Sequence, residues 1–167
     1  MNLLVSTVPR SGSTLLFNMC RLLFEQAYGK QEVYATWVQF FKEDKQKKHN
    51  IVKIHDRNQK YTKWSNKIIT SIRDIRYIIA SYSDFNKKFN VNNAENLKSV
   101  CNSFIRIMEN NCSVANYIFK YEEYFNDRIK VINELTKSLE LPMEKINFNL
   151  ILDELEEIKN KIGRAHV

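Results

Sequence analysis

Apolar residues fill most of positions Leu3 to Val8, and the run closes at Pro9. Five small or polar residues follow, Arg10 to Thr14. Apolar positions then recur at helical spacing, at Leu15/Leu16, Met19, Leu22/Leu23 and Ala27. The pattern predicts a strand, a tight loop and a helix. Further short apolar runs at 51–55 (IVKIH) and 67–72 (KIITSI) predict strands, the second buried on both faces. Tyr117 to Tyr121 reads as a fourth strand. Helical periodicity marks 74–87, 94–116, 125–139 and 148–161. The aromatics of the 28–50 region, Tyr34, Trp37, Phe40 and Phe41, read as helix core, the alternative being a lining for a substrate. Strands alternating with helices predict an α/β fold, a parallel β-sheet flanked by helices with right-handed crossovers. In such sheets ligands sit beyond the C-terminal strand ends.

At 167 residues the chain has the length of one domain, expected over 1–161. The last six residues, 162–167, break the preceding pattern. They read as the peptide that a common sequencing adapter encodes, so a non-native tail on a longer natural chain is expected. The net charge of +7 suits an anionic ligand. Lysine and asparagine are abundant throughout, however, and the dense cluster Lys42 to Lys48 includes Glu43 and Asp44 and reads as a solvated loop. No groove-reading motif accompanies the charge, so nucleic acid is not an expected partner. Cys20, Cys101 and Cys112 lack metal-ligand spacing, and an odd count suits a reducing compartment. No run reaches the length of a membrane span and no secretory signal opens the chain. A cytoplasmic protein is expected.

The loop after the first strand carries the chemistry. Small residues, two hydroxyls after Gly12, and one cation, Arg10, stand at a helix start, where backbone N–H groups favour anions. It is not the triphosphate loop G-x-x-x-x-G-K-S/T, because the cation precedes the glycine, and G-x-G-x-x-G is absent. The alternative is an ordinary strand–helix turn with a serine cap. Other polar residues fall at the same predicted sheet edge. Lys53 and His55 share a strand face, Arg73 follows KIITSI, and Ser81 lies two turns into the next helix. Each alone also fits a structural role.

Together, PRSGSTLL at 9–16, VKIH at 52–55 and SIRDIRYIIASYSDF at 71–85 resemble, in this order, the signature segments of the sulfotransferases that use 3′-phosphoadenosine-5′-phosphosulfate (PAPS). KYEEYFND at 120–127 is a weaker fourth match. The resemblance covers roughly residues 1–130 and implies a P-loop NTPase-like sulfotransferase architecture. It implies that Arg10, Ser11, Gly12, Ser13 and Thr14 cradle the 5′-phosphosulfate, and that Lys53 and Arg10 neutralise charge during transfer. His55 would be the general base on the acceptor. Arg73 and Ser81 would hold the 3′-phosphate, and Tyr121 would lie beside the adenine. Some relatives use a carboxylate base, which keeps Glu25, Glu32, Asp56 and Glu122 in play. Leu15 stands where many members have tryptophan, so adenine stacking must come from elsewhere. The C-terminal Arg-Lys-Gly segment of the family is missing. The implied reaction moves a sulfuryl group from PAPS to a hydroxyl or amine of an acceptor of unknown class. 3′-Phosphoadenosine-5′-phosphate (PAP) would leave, and no metal would be needed. The alternatives are a P-loop-like nucleotide kinase or nucleotide-binding module, and an inactive binding fragment.

Overall fold

The computed structural model describes residues 1–87 and 89–164, with side chains through Lys161. Five strands form one all-parallel sheet: β1 (Asn2–Ser6), β2 (Val33–Trp37), β3 (His49–Ile54), β4 (Lys67–Ile72) and β5 (Tyr117–Lys120), in the spatial order β2-β3-β1-β4-β5. Seven α-helices accompany them among the described residues. They are α1 (Ser13–Tyr28), α2 (Gln59–Trp64), α3 (Ile75–Phe85), α4 (Ala94–Cys112), α5 (Tyr121–Asn126), α6 (Arg128–Ser138) and α7 (Phe148–Arg164). The α/β expectation holds at this level. The strand alternation of β1 sorts the two faces. Leu3 and Val5 join a core with residues of α1, α6 and α7, such as Leu16, Leu135 and Ile151. Leu4 packs the other way, with Val52, Ile68 and the α2 aromatics Tyr61 and Trp64.

Three boundaries differ from the sequence reading, each for a local reason. The predicted helix 125–139 is two helices, because Asp127 caps α6 by accepting from Lys130 N–H. The helix predicted over 94–116 ends at Cys112, where the chain turns to bring Asn116 onto β4: Ile68 N–H donates to its side chain at 2.8 Å. The largest difference is β2. The segment Val33–Trp37, read as helix core, is an edge strand in register with β3, Val33 opposite His49 and Trp37 opposite Lys53. Its β-branched and aromatic residues suit a half-buried pleated surface. Phe41 of the same segment packs on Tyr61 and Trp64, whereas Phe40 is exposed. The cluster Lys42 to Lys48 is exposed, as expected. The expected boundary before residue 162 is not a break in the helix backbone, which runs to Arg164; residues 165–167 lie outside the described residues. Cys20 is buried and Cys101 half-buried, both as free thiols.

Chain order makes a switch at β1. The chain leaves β1 for β2, returns through β3, then crosses beyond β1 to β4. The C-terminal ends of β3, β1 and β4 therefore open one crevice, the place where such sheets bind ligands.

At the opposite edge, His49 begins β3 and stacks on Tyr28 with ring centroids 3.8 Å apart and planes 6° from parallel. Both of its ring nitrogens are buried without a hydrogen-bond partner. Burial, then the Met1 amine and Lys48, hold its pKa below the ordinary value, while Glu32 opposes them. The unfolded chain then binds the proton first. This share of stability is complete above about pH 6.5 and is lost as pH falls below it. His55 is depressed in the same direction. Replacing His49 by Phe is expected to reduce the acid-side slope of unfolding free energy against pH by up to about 1.4 kcal/mol per pH unit. Denaturant titrations between pH 5 and 7 check it; an unchanged slope means that His49 is protonated in the folded chain.

Candidate anion-binding and transfer site

The loop between β1 and α1 is built by backbone geometry that few residues tolerate. Arg10 has φ 67° and Gly12 has φ 87°, both left-handed. Gly12 is the N-cap of α1 and no side chain caps the helix. The first helical bond is Leu16 N–H to the Gly12 carbonyl at 3.0 Å, so the N–H groups just before it have no helical partner. A serine-capped turn is therefore not what the chain forms. Ser11 points inward: it is fully buried, donates to the Val8 carbonyl at 2.7 Å and meets Ser71 Oγ at 2.6 Å. Its side chain braces the loop against β4 rather than facing a ligand, and Ser13 is buried too. A Cβ on Gly12 would overlap the ring of Tyr121. Gly12→Ala is accordingly expected to lower stability by about 2 kcal/mol or more, from positive-φ strain plus the displaced ring. A denaturation midpoint within error of the parent would mean that the loop does not hold this conformation in solution.

Three cations converge on this loop from three strand ends. Lys53 of β3 is only 1 % exposed. Its Nζ donates to Thr14 Oγ1 at 2.9 Å and sits 4.0 Å from the Trp37 ring centroid. Burial first, and the Arg10 charge second, lower its pKa to about 8, so at neutral pH it stays charged but loosely. Arg10 Nε donates to Ser81 Oγ at 2.9 Å, with the guanidinium 5.2 Å from the Phe85 centroid. Arg73 Nη1 donates to the Arg10 carbonyl at 3.1 Å, and its guanidinium lies 4.2 Å from the centroid of Tyr121. Arg73 Nε is buried without a partner. No ion pair joins any of the three to a carboxylate among the described residues. Uncompensated cations this close are costly unless an anion completes them.

His55 follows β3 directly. Its Nδ1 lies 3.1 Å from the Thr7 carbonyl, an acceptor only, which places the proton on Nδ1 and the lone pair on Nε2. The ring meets Trp37 edge-on, centroids 5.4 Å apart and planes at 90°. Burial lowers its pKa, the Thr7 bond opposes that, and Lys53 adds to it. His55 is therefore held neutral at pH 7, with its ring oriented by the Thr7 carbonyl.

The structure thus brings together Arg10, Gly12, Thr14, Lys53, His55, Arg73, Ser81 and Tyr121. The pairing differs in one respect: Ser81 is bonded to Arg10, and Arg73 holds the Arg10 backbone. Of the four candidate carboxylates, Glu25 pairs with Arg21 inside α1 and Glu122 accepts from Asp74 N–H. Glu32 precedes β2 at the far sheet edge. Asp56 alone neighbours His55. Sequence reasoning preferred helix core for Trp37 and kept a substrate lining as the alternative; the strand places it beside Lys53 and His55, and the strand-like run VYATW was the available signal.

No family model matches the chain, and no curated protein matches it significantly. Among the described residues no helix is long and apolar enough to cross a membrane. None of their His, Cys, Asp and Glu side chains form a group placed to hold a metal.

Proposed function

We propose that this chain is a sulfotransferase that moves a sulfuryl group from PAPS to a hydroxyl or amine of a second substrate, within the P-loop-like branch of α/β folds. The observation that carries the reading is the convergence of Arg10, Lys53 and Arg73, without carboxylate partners, on an uncapped helix start. That arrangement fits a ligand with several negative charges. The donor's chemistry is a transferable sulfuryl group on a phosphate leaving group. Arg10 and the loop amides would hold the 5′-phosphosulfate, and Arg73 and Ser81 the 3′-phosphate. As the acceptor oxygen–sulfur bond forms and the sulfur–oxygen bond to phosphate breaks, His55 Nε2 takes the acceptor proton. Lys53 offsets the charge arriving on the leaving oxygen. Positioning and charge stabilisation are what such transfers require from a protein. A cytoplasmic location fits the free thiols. The nucleotide-kinase reading is weaker, since the loop lacks the lysine of the triphosphate motif.

The test compares ligands on the unaltered protein, because Arg73 also braces the loop and its removal would disturb more than one phosphate. By calorimetry, PAP is expected to bind about 100-fold more tightly than AMP, the 3′-phosphate adding charged hydrogen bonds of about 2–3 kcal/mol. ATP tighter than PAP would replace this reading with a nucleoside-triphosphate one.

A further inference from the structure

Among the described residues, Lys53 is the one lysine or arginine that is buried, and no carboxylate pairs with it. An ammonium has three protons to place. One goes to Thr14 Oγ1 at 2.9 Å. The other close contact is the indole of Trp37, over which Nζ sits 4.0 Å from the ring centroid. A desolvated cation gains most from such a ring, and indole is the best of the aromatic faces. The choice of partner has a chemical consequence. A carboxylate would hold the ammonium but cancel its charge. A neutral π face holds it and leaves the full positive charge for an incoming anion.

The same indole meets His55, centroids 5.4 Å apart and planes at 90°. The imidazole is tied at Nδ1 to the Thr7 carbonyl. One hydrogen bond leaves a ring free to tilt about it, and a perpendicular ring packed against it restricts that tilt. Trp37 can serve both neighbours because its own place is fixed. It ends β2 directly opposite Lys53 in the parallel register. Just beyond it, Val38 and Phe41 pack into the second core with Tyr61 and Trp64. The chain is thus anchored on both sides of Trp37, although the residue is only half-buried.

We infer that Trp37 is a positioning residue of the transfer site: its indole holds the Lys53 ammonium at the loop without neutralising it and sets the plane of the His55 ring. The consequence for turnover rests on the sulfotransferase reading above, whereas the contact between ring and ammonium does not.

Two measurements test it. The first needs no substrate. The chain has two tryptophans, and the second, Trp64, sits by Asn2 at the start of β1, the far end of the sheet from the crevice. In a Trp64→Phe background the emission of Trp37 is expected to change with a midpoint near pH 8, as the ammonium over it loses its charge. Adding Lys53→Met should abolish that step. A step absent from the Trp64→Phe protein, or unchanged after Lys53→Met, overturns the inference.

The second measurement follows turnover of PAPS. Trp37→Leu is expected to lower kcat about 10- to 100-fold, with KM for PAPS changed by less than about 3-fold. It should also move the alkaline limb of kcat/KM down by about one pH unit, because the ammonium loses the ring that favours its charged form. Trp37→Phe keeps a π face and should restore the limb and most of kcat. A merely structural role gives another pattern, less active protein with the limb unmoved and no advantage of phenylalanine over leucine, and that pattern overturns the inference. If the unaltered chain transfers no sulfuryl group, the functional reading fails, and the emission titration alone decides whether Trp37 holds Lys53.

Discussion

Lys53→Met is expected to lower sulfuryl-transfer turnover by about 10³-fold while weakening PAP binding much less. Lys53 is held between the Thr14 hydroxyl and the Trp37 ring, at the strand end between the loop and His55. In the proposed transfer, a charge fixed there would meet the negative charge that shifts toward the leaving oxygen without rearrangement. Methionine keeps the volume and the packing on Trp37, so the loss reports charge rather than collapse. The pH profile gives a second reading of the same residue. Its pKa of about 8 in the free protein means that charge is present below pH 8 and disappears above it. The alkaline limb of kcat/KM should therefore fall near pH 8. Lys53→Arg keeps a cation that does not titrate in that range, so the limb should disappear even if the bulkier group lowers the plateau. PAP release, followed with a panel of hydroxyl acceptors across pH 5 to 10, checks both. Near-parental turnover of Lys53→Met would remove Lys53 from the transfer step.

Much of the crevice was readable in the chain because it is encoded locally. An apolar run, a loop of small residues around Gly12 and a helical repeat fix β1, the turn and α1 within a few dozen residues. The ends of β3 and β4 place Lys53, His55 and Arg73 by the same rule, since C-terminal strand ends share one edge in a parallel sheet. What the sequence hid is set by neighbours distant in the chain. Ser11 looks like a ligand hydroxyl until β4 brings Ser71 within 2.6 Å of it. Arg10, assigned to the 5′ side, reaches Ser81, because a left-handed residue turns its side chain toward α3. Trp37 was left between helix core and site lining for a different reason. Its segment has five residues between one-turn 3-10 helices, too short for periodicity to separate a strand from a helix. Only the pairing of β2 with β3 puts its ring beside Lys53 and His55.

That same ring and the Thr7 carbonyl make His55 the second residue on which the proposed chemistry turns. His55→Ala should cost about 10²–10⁴ in turnover, the usual effect of removing a general base. PAP affinity should hardly change, because the proposed mechanism assigns the imidazole to the acceptor rather than to the phosphates. The acid limb follows from the sign of its shift. Burial holds the pKa of His55 below the ordinary value, so the base stays neutral, and the rate stays at its plateau, until the pH drops below about 6.5. Asp56 is the one candidate carboxylate that neighbours it in the chain, and it separates the two mechanisms. With a histidine base, Asp56→Asn leaves turnover and the acid limb in place, and His55→Ala loses both. With a carboxylate base the pattern reverses. Retained turnover in His55→Ala, measured in protein shown to bind PAP, would give the proton to Asp56 and leave His55 as the residue that anchors the end of β3 to β1.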